Sequence, residues 1–257
     1  MNIKSLNKEC VKMANRYAKL NIHNKKIPTP YYINSIQGHF SEIFNMVGIP
    51  SEKIIEIWRI YKSNKFPYGR YRGKGTPEEI EDAVIKVSTA VGLPLDNSSI
   101  EVILNFMKLY GLGVDCSGYV YNLLSSAFKK IEGSDQQLKA SLNWMAKSKR
   151  DVWNAGAFAF AGKASVLVTP ERLQPLDLIL LKDKDQKYVH VALVIKHNGK
   201  LLITQSQICM NPSGVRSDNA VALQPEPLFD YHPEIGPSWE DLYKKGRLEF
   251  RRLKILA

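Results

Sequence analysis

Cysteine is scarce in this chain, and what there is cannot be paired into a framework. Cys10, Cys116 and Cys209 are the only three in 257 residues. So odd and sparse a set builds neither a disulfide scaffold nor a C-x-x-C metal knuckle, and it leans toward a reducing compartment. Histidine is nearly as thin. His23, His39, His190, His197 and His232 include no pair at zinc-finger or H-E-x-x-H spacing. No metal and no cofactor are called for. No apolar run approaches the length of a membrane span. The opening M-N-I-K-S-L-N-K-E-C lacks the apolar core of a secretion signal, so as it stands the chain is expected in the cytoplasm. A trimmed signal would move it to the cell envelope or outside. Internal repeats and low-complexity segments are also missing.

What is there is an ordinary globular composition, 44% hydrophobic and 24% charged, long enough for one large domain with or without an appendage. The net charge of +11 is dispersed. Its densest groups, Lys25-Lys26, Lys147 to Arg150 and Lys244 to Arg252, have no interleaved aromatics, and no nucleic-acid motif accompanies them. They read as solvated faces, with nucleic acid not an expected partner. Nothing in the sequence sets the oligomeric state.

The pattern changes character along the chain. Residues 1–20 form an amphipathic stripe of Val11, Ala14, Tyr17 and Ala18, a helix. Residues 21–30 are polar with two prolines and read as a loop. A helix opens at Ser51 with Ile54, Ile55, Trp58 and Tyr61 on one face. Residues 66–75 are the most loop-like stretch. Thr76-Pro77-Glu78-Glu79 then starts a helix with a hydroxyl cap, proline at the first position and a glutamate three after the cap. That helix carries Ile80, Val84, Val87 and Val91 to a stop at Gly92. Another, over 98–110, presents Ile100, Ile103, Leu104 and Met107. Residues 133–150 are helical and polar, and 152–163 are rich in Ala, Gly and Phe without a period. Strands follow at 177–182, 189–195, 201–205 and 248–255, with a hairpin signal in His197-Asn198-Gly199-Lys200. Helices first and an antiparallel meander second indicate an α+β fold.

Chemistry concentrates in G-L-G-V-D-C-S-G-Y-V-Y-N-L-L, residues 111–124. After Cys116 the apolar positions Val120, Leu123, Leu124, Ala127 and Phe128 recur at helical spacing, and Asp115 is placed to cap that helix. A thiol in the first turn sits at the positive end of the helix dipole, which favours thiolate near neutral pH. Ser117 and Gly118 make the turn narrow and polar, a poor place to hide a core side chain. The strand H-V-A-L-V-I starts at His190 and is apolar throughout, hence central in the sheet. With the Cys116 helix packed across it, a sulfur meets an imidazole, the pair that cysteine hydrolases use. The next strand ends L-I-T-Q-S-Q. Gln205 is the choice to orient the imidazole, with Thr204 taking its place if the register slips by one. Cys10, Cys209 and His197 read as non-catalytic. His23, His39 and His232 read as surface.

These pieces resemble the NlpC/P60 family of papain-like cysteine peptidases. The matching residues are D-C-S-G-Y-V (115–120), L-Q-P-L-D-L-I-L-L (173–181), H-V-A-L-V-I (190–195) and N-G-K (198–200), in the family's order. The family's Q-P-G-D reads Q-P-L-D here, its usual third-position histidine is a glutamine, and the stretch before Cys116 is longer than usual. The resemblance covers about residues 60–205. It implies a papain-like α+β domain over 61–257, with a helical insertion at about 76–110 and residues 1–60 as an N-terminal helical extension. Cys116 would be the nucleophile, His190 the base and a polar residue on the following strand the third member. Phe66-Pro67-Tyr68-Gly69 resembles a family segment whose tyrosine lies near the active site, so Tyr68, with Asp115 and Ser117, would position substrate or the oxyanion. The implied activity is hydrolysis of an amide bond in a small peptide, typically a stem peptide of the bacterial cell wall. An acyltransferase or thioesterase on the same scaffold, and a binding protein that lost the chemistry, are the alternatives.

Overall fold

The computed structural model describes residues 1–32, 73–143, 156–207, 214 and 238–257. Tyr68, Cys209, His39, His232 and the helix expected from Ser51 lie outside the described residues.

The first helix, α1 (Ile3–Ala18), is capped by Asn2, whose side chain accepts the Ser5 N–H. It buries Leu6, Cys10, Ala14, Tyr17 and Ala18. The polar loop expected over 21–30 is instead a two-stranded hairpin, β1 (Leu20–Ile22) and β2 (Lys25–Ile27). Its turn residues His23 and Asn24 both stand at positive φ, 45° and 62°, the twist that suits a two-residue hairpin. The reason lies in the spacing of Leu20, Ile22 and Ile27, all fully buried while the residues between them face outward.

The capping box at Thr76 forms as its residues predict. Glu79 N–H donates to Thr76 Oγ1 at 3.3 Å, and Thr76 N–H donates to Glu79 Oε2 at 2.9 Å. The helix it opens, α2 (Pro77–Val91), ends at Gly92 with φ 73°. In α3 (Ile100–Leu109) the buried face is rotated from the expected one. Ile103, Phe106 and Met107 are inside, while Ile100 is 49% exposed. Ile100 is the first helical residue after the Ser99 cap, and the helix packs on β2 with its later turns.

The cysteine helix, α4 (Cys116–Glu132), is the axis of the molecule. From Cys116 to Ser125 every residue is buried, so the helix is enclosed all round rather than along one stripe. One side packs on α1, the other on the sheet. Full burial of Val120, Leu123, Leu124 and Phe128 is worth about 1.5–3 kcal/mol each before chain entropy is subtracted. Only a short helix, α5 (Gln136–Ser141), follows in the described part of the polar region. The Ala- and Phe-rich stretch packs as 3₁₀ turns over Ala157–Phe160 and Gly162–Ala164, with Ala159 and Phe160 fully buried.

The sheet consists of β3 (Ser165–Leu167), β4 (Leu178–Lys182), β5 (Tyr188–His197), β6 (Lys200–Thr204) and, after the short helix α6 (Trp239–Lys244), β7 (Leu248–Leu253). Its order is β3-β7-β4-β5-β6, all neighbours antiparallel. The expected meander β4-β5-β6 is present, with Asn198 and Gly199 at positive φ in its second turn. The last strand returns to the far side of β4, and β3, which periodicity did not signal, completes the edge. Leu178, Leu180, Val191, Leu193 and Ile195 face the main core with α4 and α1. Ile179, Ala192, Val194 and Ile203 face a second cluster sealed by Trp239 and Leu242 of α6. Helices thus cover both faces of an antiparallel sheet in an α+β arrangement.

Two details tie the site region to this frame. Asn7 of α1 clasps the β5 backbone, donating to Lys196 O and accepting the Lys196 N–H, both at 2.8 Å. Leu176, just ahead of β4, stands at φ 73°, a conformation glycine takes freely and a side chain enters at about 1–2 kcal/mol. It is held there because its side chain is buried and its N–H donates to Val194 O at 2.7 Å.

Candidate active site

The approach to Cys116 is clamped from several directions. Val114 N–H donates to Pro30 O and Tyr32 N–H to Val114 O, both at 3.1 Å. Ser206 Oγ donates to the same Val114 carbonyl at 2.7 Å. Gly113 must be glycine because a β-carbon there would lie 2.3 Å from Pro30 O. Asp115 then turns the chain into the helix from an extended conformation, and its carboxylate accepts the Gly118 N–H at 2.6 Å. The glycine of the D-C-S-G run is required for a similar reason. A β-carbon on Gly118 would sit 2.1 Å from Gly73 O. Its absence lets residues 73–74 lie flat on the first turn of α4, with Asp115 N–H donating to Gly73 O at 2.9 Å.

That close approach delivers a residue which reading the sequence passed over as loop. Lys74 is buried, and its Nζ donates to both Asp115 oxygens, at 2.8 and 2.6 Å, and to Ser117 Oγ at 2.5 Å. Only its place between Gly73 and Gly75, in a segment thin enough to lie against a helix, hinted at this. The expectation that the turn after Cys116 is too polar to be buried is corrected here. Ser117 and Gly118 are enclosed because Lys74 and the Gly73 backbone cover them.

Cys116 is 6% exposed, and its sulfur lies near the backbone N–H groups of Val191 on β5 and of Ser117 on its own helix. Burial pushes the thiol up to about 11, with the Asp115 carboxylate acting in the same direction and Lys74 and the two N–H groups opposing. The thiolate expected from the helix start alone is therefore outweighed by desolvation, and the resting group is a neutral thiol. Cys10 is fully buried, donates to Leu123 O at 3.4 Å, and has its thiol raised well beyond the usual range by desolvation. It packs as a core residue.

His190 is the third residue of β5, opposite Leu181 and beside a register shift in the β4–β5 ladder. Its Nε2 lies 2.6 Å from Gln205 Oε1. An amide oxygen only accepts, so Nε2 carries the hydrogen and Nδ1 is the basic nitrogen. Burial lowers the imidazole to about 4, with the Gln205 bond pulling the other way. Gln205 is wholly buried rather than an exposed strand end, and its Nε2 has no hydrogen-bond partner among the described residues. Thr204, the alternative third member, is committed elsewhere: its Oγ1 shares a 2.5 Å hydrogen bond with Tyr119 OH on α4.

Asp115, Cys116 and Ser117 form one cluster with Lys74 at the head of α4, and His190 and Gln205 form a second pair across β5 and the end of β6. The sulfur touches the strand at the residue next to His190. Among the described residues it makes no hydrogen bond to the imidazole itself. No group of three or more metal-ligating side chains occurs among the described residues. No helix described is long and apolar enough to cross a membrane. No family model, curated protein or solved structure matches the chain.

Proposed function

We propose that this protein is a cysteine hydrolase of the NlpC/P60 kind that cleaves an amide bond in a small peptide through an acyl-enzyme. The observation that carries the reading is the 2.6 Å bond from His190 to Gln205 beside a cysteine that begins a buried helix. Gln205 fixes the tautomer that leaves Nδ1 basic, which is the work required of a third catalytic member. Leu176 supports the family likeness, since it holds the left-handed conformation where the family's Q-P-G-D has glycine.

His190 Nδ1 takes the Cys116 proton as the sulfur attacks the substrate carbonyl, and a C–S bond forms. The oxyanion meets the backbone N–H at the start of α4, where the dipole favours negative charge. Collapse breaks the C–N bond, and the imidazolium gives its proton to the departing amine. Water, deprotonated by the same imidazole, then releases the acid and the free thiol. Because thiol and imidazole both rest neutral, proton transfer accompanies attack instead of preceding it. Catalytic hydrogen bonds in a free enzyme are often long and tighten when substrate fills the site. The sulfur–imidazole hydrogen bond of the mechanism is one that forms when substrate binds. A peptide stem of the bacterial cell wall is the substrate the family likeness favours, and the positive charge of +11 suits an anionic wall polymer.

The test is a panel of cell-wall stem peptides incubated with the wild type and with Cys116→Ala, followed by intact-mass detection of the acyl-enzyme. Cleavage and a covalent adduct on Cys116 are expected in the wild type alone. Turnover only when an amine or alcohol acceptor is added would make the protein an acyltransferase. Cleavage that survives Cys116→Ala would refute thiol chemistry.

A further inference from the structure

We infer that Lys74 is a positioning residue for Cys116, its ammonium bridging the groups on either side of the cysteine so that the sulfur can carry charge when its proton leaves. This rests on Cys116 being the nucleophile. Three observations carry it. Lys74 Nζ holds Asp115, the residue before the cysteine, and Ser117, the residue after it, with all three side chains buried. Ser117 Oγ in turn donates to Asp115 Oδ1 at 3.1 Å, closing a triangle around the base of the sulfur. The lysine backbone is equally constrained. Asn122 Nδ2 donates to Lys74 O at 2.9 Å and to Gly75 O at 3.1 Å, and Tyr17 OH donates to Gly75 O at 2.7 Å.

Helix capping alone does not call for this. An asparagine caps a helix about as well as an aspartate and needs no counter-charge. Burying a lysine with a carboxylate costs desolvation on both partners, and an apolar pair is often no less stable. A buried charge pair where a neutral cap would serve indicates that the charge itself is used. Asp115 beside the sulfur opposes a thiolate, and Lys74 works against that opposition. Among the described residues the titratable groups acting on the sulfur are Asp115 at the head of α4 and Lys74 from the segment before α2, while His190 is the residue before Val191 on β5. The Lys74 ammonium holds the residues on either side of the sulfur, whereas the buried imidazole is neutral near pH 7. The burial that raises the thiol is thus partly offset by a charge fixed in place from both ends.

The experiment reads the sulfur, not turnover. Iodoacetamide alkylation of Cys116 in the folded full chain is followed between about pH 7 and pH 10 by mass mapping of the Cys116 peptide, in the range where the rate follows the thiolate fraction. Lys74→Met should slow alkylation at fixed pH by about threefold to tenfold, because the thiolate fraction falls more than the nucleophilicity of the remaining thiolate rises. Asp115→Asn should speed it, and the double variant Lys74→Met/Asp115→Asn should return close to wild type. Equal rates for wild type and both single variants overturn the inference, as does a double variant no closer to wild type than Lys74→Met. If circular dichroism shows Lys74→Met unfolded, Asp115→Asn and the double variant, which leaves no buried charge unpaired, decide the matter by the same criteria. No substrate is present, so failure to cleave any peptide counts against the hydrolase reading alone, and an unmoved alkylation rate counts against Lys74 alone.

Discussion

Acid should unfold this protein partly through a single imidazole, and the size of the effect follows from where His190 sits. Folding lowers His190 from the usual 6.5 to about 4, chiefly because burial disfavours its charged form. Between those two values the unfolded chain holds a proton that the folded chain refuses. The sign is then fixed: the stability tied to a neutral His190 is fully present above about pH 6.5 and is lost progressively as pH falls to about 4. At about 1.36 kcal/mol per pH unit the full loss approaches 3.4 kcal/mol, and about 2 kcal/mol of it has gone at pH 5. The perturbation that isolates it is His190→Asn. Asparagine keeps a donor for Gln205 Oε1 but does not titrate. Urea unfolding followed by tryptophan fluorescence at pH 7 and pH 5 gives the stability of each protein. Carboxylates titrate alike in both and cancel in the difference. Wild type should lose about 2 kcal/mol more than His190→Asn on going from pH 7 to pH 5, with slopes against urea unchanged. A difference between the two proteins that stays constant with pH would show that the imidazole is not desolvated in the native state, and the neutral-pair mechanism would go with it.

Gln205→Leu leaves His190 Nε2–H without its acceptor, so we expect about 1–3 kcal/mol of destabilisation and, under the proposed function, a fall in kcat larger than any change in KM. Thr204→Val strands the buried Tyr119 hydroxyl and should lower the urea midpoint by a similar free energy while leaving kcat within about twofold, which separates the two candidates for the third position. Gly118→Ala forces a methyl to within 2.1 Å of Gly73 O. It should push the Lys74 segment off the helix and depress both melting temperature and Cys116 reactivity, whereas Gly133→Ala, where a methyl would meet nothing within 4 Å, should show only the strain of its φ 76° backbone. Asp177 is fully buried and takes a bidentate pair from Arg252 at 2.7 and 2.9 Å. Asp177→Ala should therefore cost about 3–5 kcal/mol in chemical denaturation, most of it from the guanidinium left behind.

The residues by themselves determined the local pieces. The Thr76 box, the stop at Gly92, the Asn198-Gly199 turn and the alternating or apolar runs of β4 to β7 all act within a few positions of one another, so their consequences are readable in order along the chain. So was the placing of Cys116 at the head of a helix, because Asp115 and Gly118 are its own neighbours. Short apolar elements broken by polar residues were not legible: the β1–β2 hairpin and β3 have three residues per strand, too few for a period to emerge. Nor was the buried face of α3, which depends on where β2 lies.

Tertiary structure alone decided the electrostatics of the site. The Lys74–Asp115 bond spans 41 positions and the Tyr119–Thr204 bond 85. The same packing bonds Gln205 to His190 and Thr204 to Tyr119 of the helix. It also reversed the expected state of the sulfur. A helix dipole is a property of the backbone and can be inferred from a cap. Desolvation depends on everything that surrounds the atom, and at Cys116 the surroundings come from α4, from β5 and from a buried lysine that no local pattern announces.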